Sequence, residues 1–255
     1  MTFSLPAAEY CRRRHRAAGF TLIELAVAIF VIALILGSLV VPLSTQVDQR
    51  QTAEARLRLE ELRDALSGHA AAQGYLPCPD TNNDGLEDVA AGNCNNAEGT
   101  VPWATLGVQP TDPWGYRFRY RVSPQYAQRG PIGLSLSTPG TLQICSTSAC
   151  AAGDRITEVP PSLNAAVAVL ISHGPNGWGA IIPATGAQRL PIGCATVAGC
   201  AAMTANEIAN ANGDANFVSR ERSPADSTSG EFDDIVLWLS PHVLKQRMVA
   251  AGRLP

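Results

Sequence analysis

The stretch that most constrains this chain is residues 20–41, an apolar run whose only ionisable side chain is Glu24. As an α-helix rising 1.5 Å per residue it is about 33 Å long, enough to cross a hydrocarbon core of about 30 Å. An unpaired carboxylate at that depth costs roughly 2.5 kcal/mol or more, so a chain that keeps one usually supplies a partner for it. Arg12, Arg13, Arg14 and Arg16 precede the run. Such a basic flank stays cytoplasmic, which sends the chain after the run outside. A secretory signal fits less well. Its apolar region spans about 7–15 residues and ends in a small-x-small site, whereas this run is longer and leads into Pro42 and Leu43. An uncleaved signal anchor explains the run and the arginines. It explains neither Glu24 nor the Gly19-Phe20 junction.

Both are explained by a resemblance. Gly19-Phe20-Thr21-Leu22-Ile23-Glu24-Leu25, behind its arginines, resembles the prepilin signal of type IV pilins and type II secretion pseudopilins. The resemblance implies cleavage after Gly19 by a prepilin peptidase on the cytoplasmic side, and methylation of the new terminus to N-methylphenylalanine at Phe20. It implies that Glu24, fifth in the mature chain, offsets the N-terminal amine of a neighbouring subunit. Two opposite charges in an apolar core need each other. The implied partners are the peptidase, other pilin-like subunits and a secretion or pilus assembly platform. The implied location is the inner membrane, crossed once, with the C-terminal domain in the periplasm and then in a filament. Asp112-Pro113-Trp114-Gly115-Tyr116 is similar to a turn that enters a strand in major pseudopilins. Length and cysteines depart from those proteins, which implies a minor or atypical member. A membrane-anchored periplasmic binding domain or enzyme, never built into a filament, is the alternative.

The expected organisation is a leader at 1–19, a filament-core or transmembrane helix at 20–45, an amphipathic continuation at 46–74 and a globular domain at 75–255. Ala55, Leu59, Leu62, Leu66 and Ala70 recur on one helical face, with Arg56, Glu60, Arg63 and Asp64 on the others. Gly74 and Pro77 stop the helix. Residues 116–122 alternate aromatic and arginine with period two. That points Tyr116, Phe118, Tyr120 and Val122 at the core, and Arg117, Arg119 and Arg121 at the other face. The arginines form either a salt-bridged sheet face or an anion site. Further strands are expected at 132–137, 142–146, 165–172, 179–183 and 232–239, with a hairpin loop at 172–179. Ser240-Pro241 opens a short helix through Met248. Residues 204–230 are polar and read as a long surface loop, of a composition that permits mobility. The fold class is α+β, a long N-terminal helix packed on a mostly antiparallel sheet.

Net charge is −3 over 255 residues. The leader carries four Arg and one Glu, or +3, leaving −3 − 3 = −6 for the rest. An acidic domain argues against unspecific nucleic-acid binding. Beyond Cys11 stand six cysteines: Cys78, Cys94, Cys145, Cys150, Cys194 and Cys200. An even number outside a membrane suggests disulfides in an oxidising compartment, and six cysteines allow fifteen pairings. They fall in three sequence-local pairs, which favours Cys78–Cys94, Cys145–Cys150 and Cys194–Cys200. Zinc is the competing reading, although no C-x-x-C pair exists.

Asp80, Asn82, Asp84 and Asp88 stand at positions 1, 3, 5 and 9 of a calcium-loop template, with Gly85 at position 6. Position 12 is Ala91, so Glu231, Asp233 or Asp234 must complete a shell for Ca2+. The plain alternative is a hydrophilic turn. Catalysis is not expected. No nucleophile elbow, phosphate loop or H-E-x-x-H motif occurs. Ser172 and His173 are neighbours, which strand alternation sends to opposite faces.

Overall fold

A computed structural model of the chain describes residues 19–129 and 134–254, and within its first helix the side chains of residues 36–44 lie outside the description. In chain order the elements are α1 (Leu22–Gln73), β1 (Val89–Ala90), β2 (Asn93–Cys94), β3 (Glu98–Thr100), α2 (Trp103–Leu106) and β4 (Arg119–Val122). Then come β5 (Gln143–Cys145), β6 (Ala168–Ser172), α3 (Ala205–Ala211), β7 (Asn216–Val218), β8 (Ile235–Leu239) and α4 (Pro241–Ala250). Two compact units result, Met1–Asp48 and Gln49–Pro255. The α+β class with an N-terminal helix and a mostly antiparallel sheet is as expected.

The second unit is built on a four-stranded antiparallel sheet in the order β3-β4-β6-β8. The α1 stripe at Leu59, Leu62, Leu66 and Ala70 is fully buried against one face, with Phe118, Tyr120, Val122, Leu170 and Leu239. Leu244 and Met248 of α4 close the same core. Burial of each large apolar side chain contributes about 1.5–3 kcal/mol. Gly74, at φ +90°, ends α1 where only glycine adopts the left-handed turn without strain. Ser240 caps α4, its side chain accepting from the His242 N–H.

The second face is divided. Towards β6 and β8 it is apolar, with Val169 and Ile171 against Leu142, Ile144 and Phe217. Towards β3 and β4 it is ionic. Arg119 and Arg121 both pair with Glu98, which is 8 % exposed. Arg117 lies 3.7 Å over the Trp103 ring and donates to Asn83. Arg119 and Arg121 thus make the row a salt-bridged face, with Arg117 stacked and hydrogen-bonded beside them.

Several expected strands are shorter or absent. Arg117 joins only isolated bridges, to Thr111 and Ile181, and Tyr116 is half-buried against Gly177 instead of the core. Residues 179–183 form no strand, because Ile181 makes single bridges on either side and the chain turns back at once. Residues 132 and 133 lie outside the description, and Leu134–Ser137 is no strand, since Ser135 and Thr138 bond to each other across a turn.

The polar segment 204–230 is the largest correction. It holds α3 and β7, and β7 pairs in parallel with β5. A capping box starts α3, with Thr204 accepting from the Glu207 N–H and Glu207 accepting from the Thr204 N–H. Asn210 brackets Val218 through both its N–H and its C=O. Arg119 and Arg121 donate to the carbonyls of Ala211 and Gly213 at the far end, where a cation suits the helix dipole. Paired polar groups add to the burial of Ala209, Phe217 and Val218.

Candidate functional site

Thr21 and Glu24 open α1 as a reciprocal pair. The Glu24 N–H donates to Thr21 Oγ1 at 3.2 Å, and the Thr21 N–H reaches Glu24 Oε2 at 3.5 Å. The T-x-x-E spacing is a capping box that the sequence already contains. Glu24 therefore sits in the first turn, where a carboxylate also complements the helix dipole. It is exposed, as are its apolar neighbours: Phe20 is 81 % and Ile29 58 % exposed. Among the described residues of this unit the apolar side chains from Phe20 to Ile35 stay exposed. Residues 1–18, with the arginines and most of the leader, lie outside the described residues. Among the described residues no helix is long and apolar enough to cross a membrane. The later part of the expected span, 36–41, belongs to the side chains outside the description.

The three cysteine pairs are disulfides: Cys78–Cys94, Cys145–Cys150 and Cys194–Cys200. The first encloses the acidic loop. Asp80 is buried, and its Oδ1 accepts from the Asn82 and Asn83 N–H groups. Its Oδ2 accepts from the Gly85 N–H and the Thr100 hydroxyl. Asp84 accepts from the Leu86 N–H, and Asp88 from the N–H and hydroxyl of Thr81. Asn82 spends its Oδ1 on the Asp84 N–H. The loop thus closes on its own backbone. Among the described residues no three His, Cys, Asp or Glu groups are arranged to hold a metal ion.

Asp233 and Asp234 serve a different cluster. Asp234 accepts from the Asn210 amide at 2.8 Å and lies 3.0 Å from His173 Nδ1. Asp233 accepts from the Asn176 N–H at 2.9 Å. Burial, and then the charges of Asp234, Glu207 and Glu231, push the Asp233 carboxyl up to about 8. Burial likewise raises Glu207, against the opposing bond from Asn176.

Ser172 and His173 do not meet as nucleophile and base. The Ser172 hydroxyl donates to Asp112 at 2.7 Å, while His173 faces Asp234. Both are fully buried. Asp112 also accepts from the Trp114 and Tyr116 N–H groups, so it folds its own Asp-Pro-Trp-Gly turn and ties it to β6. Burial raises its carboxyl, offset by those bonds. These are structural contacts.

Residues 14–40 match the family of the prokaryotic N-terminal methylation motif. No curated protein and no solved structure matches the chain. The match spans the arginine flank from Arg14, the Gly19-Phe20 junction, Glu24 and most of the apolar run. The chain therefore carries a prepilin-type N-terminal signal, of the kind found on type IV pilins and pseudopilins.

Proposed function

We propose that this chain is a pilin-like structural subunit of a type II secretion pseudopilus or a type IV pilus, and a minor one. Prepilin peptidase cleaves it after Gly19 and methylates Phe20. The apolar helix then leaves the inner membrane to pack among other pilin-like subunits on an assembly platform, with the disulfide-stapled unit displayed outside. The observation that carries this reading is the methylation motif at 14–40. The exposed apolar start of α1 supports it, because that surface needs lipid or neighbouring helices. Glu24 gains an opposite charge when the Phe20 amine of a neighbour lies beside it.

Intact-mass analysis of the protein from membranes tests the reading. The expected species begins at a methylated Phe20. Gly19→Lys is expected to keep the whole leader, because a large charged side chain cannot enter the peptidase site. A native protein beginning at Met1, or beyond Val41, would overturn the proposal. A processed chain that never cofractionates with filaments would favour an anchored periplasmic domain.

A further inference from the structure

Two Asn-Gly dipeptides occur in the chain, Asn176-Gly177 and Asn212-Gly213. A glycine after asparagine carries no side chain, so its backbone nitrogen can approach the asparagine amide carbon and close a five-membered ring. Closure needs a glycine N–H that no hydrogen bond holds, and an asparagine free to turn. The fold treats the two dipeptides differently on both counts.

Asn176-Gly177 is locked. The Gly177 N–H donates to the His173 carbonyl at 3.1 Å. The Asn176 amide donates to Glu207 at 2.8 Å, and its Oδ1 accepts from the Trp178 N–H at 2.8 Å. The Asn176 N–H donates to Asp233, and its carbonyl accepts from Arg189. Asn176 is half-buried, and Gly177 is buried against the Tyr116 ring. Ring closure there would break these bonds together, with little water at hand to replace them.

Asn212-Gly213 lies open. Asn212, Gly213 and Asp214 are all exposed just past the end of α3. Among the described residues the Gly213 N–H has no protein partner. The ring closes when the Asn212 backbone turns about ψ, now −10°, and no bond of that N–H opposes the turn. The Asn212 amide bonds to the neighbouring Asp214, contacts that water can replace at an exposed site. One of them favours the attack. The Asp214 N–H donates to Asn212 Oδ1 at 2.9 Å, the oxygen on which charge develops.

We propose that Asn212 deamidates spontaneously in the folded protein, while the fold shields Asn176. The Gly213 nitrogen bonds to Asn212 Cγ, the Cγ–Nδ2 bond breaks, and the Gly213 amide proton leaves with that nitrogen as ammonia. Water then opens the cyclic imide at either carbonyl, giving aspartate or isoaspartate. A carboxylate thereby replaces the amide that donates to Asp214 Oδ2 at 2.9 Å. Two like charges then face each other at the end of α3, where the helix dipole also disfavours them. Isoaspartate in addition lengthens the main chain between Ala211 and Gly213, whose carbonyls accept from Arg119 and Arg121. The modification loosens the hold of β4 on the end of α3. The inference rests on the second unit alone and is independent of how the N-terminus is processed.

The test ages the processed full-length chain in detergent micelles at neutral pH, and the same chain in denaturant. Peptide mapping by mass spectrometry reads the replacement of amide by acid at each asparagine. In the folded chain Asn212 is expected to convert several-fold faster than Asn176, and in the unfolded chain the two should convert alike. Asn212→Gln, whose longer side chain closes a ring poorly, should remove the folded-state product. Hydrogen exchange of residues 211–218 should quicken several-fold in Asn212→Asp and in the aged protein, with β6 unchanged. Equal conversion of the two sites in the folded chain would overturn the proposal. So would an unchanged Asn212 in the folded chain when both sites convert in denaturant. Unaltered exchange over 211–218 in the converted protein would overturn the loosening.

Discussion

Two stretches of α1 carry comparable apolar residues and treat them oppositely. Between Phe20 and Ile35 the side chains are exposed, Ile29 at 58 % and Leu34 at 58 %. Between Leu59 and Ala70 the apolar stripe is at most 2 % exposed. The second stretch alternates apolar and charged residues with helical period, so a single sheet face satisfies it. The first is apolar all round, and no one-sided partner can cover it. One helix therefore holds a segment covered by its own fold and a segment whose described apolar side chains stay exposed.

The sharpest way to break this comparison is at Glu24. Glu24→Leu is expected to abolish incorporation into filaments while leaving the melting of the second unit unchanged. Cysteine crosslinking between neighbouring apolar helices measures the first and thermal melting the second. Normal incorporation of the variant would remove the proposed charge pairing and leave Glu24 its capping role.

A cavity test separates the two stretches next. Leu66→Ala should destabilise the second unit by about 2–5 kcal/mol, since Leu66 is fully buried. Ile29→Ala should leave the same unit within about 0.5 kcal/mol of wild type. Chemical denaturation in micelles, followed by tryptophan fluorescence, reads both. Equal losses would mean that the two stretches share one core.

Acidity sharpens the contrast within the folded unit. The Asp233 carboxyl is pushed up to about 8, whereas an unfolded aspartate titrates near ~3.9. Between these values the folded state holds a proton that the unfolded state has released. Stability therefore falls as pH rises through that window, by at most ~1.4 kcal/mol per pH unit. Glu207 and Asp112 act in the same sense. Melting temperature is expected to fall between pH 5 and pH 8, and Asp233→Asn should flatten the slope. An identical slope in the variant would place the titration elsewhere.

The smallest effect belongs to the Asp80–Asp88 loop, for which calcium remains a proposal. Its carboxylates already satisfy backbone N–H groups, so an ion adds only the difference. Millimolar calcium should raise the melting temperature by no more than the few degrees that ~1 kcal/mol provides. Equal melting with calcium and with chelator would leave a self-bonded polar turn.

What could be read from the sequence was local and periodic. The α1 leucines, the alternation at Phe118, Tyr120 and Val122, the Ser240 cap and the neighbouring cysteines each depend on short spacings. What was missed depended on distant partners. Glu98 lies over twenty residues before Arg119 and Arg121, so nothing nearby marks it as their counterion. The segment 204–230 reads as a long surface loop because it holds few large apolar groups. Its Thr204-x-x-Glu207 box was a legible helix start, but Asn210 acquires its role only when Val218 and Asp234 arrive.

The disulfides carry a consequence for how the chain is made. Their partners lie 16, 5 and 6 residues apart, and no bridge spans another. The sheet, in contrast, joins Glu98 to Leu239 through non-local pairings, which form slowly because long loops must close first. A chain made N-terminus first presents Cys78 and Cys94 well before Cys145. An oxidant that joins thiols in order of emergence then produces all three native bridges without isomerisation. With partners so near in sequence, each staple can close before the non-local sheet pairings are made.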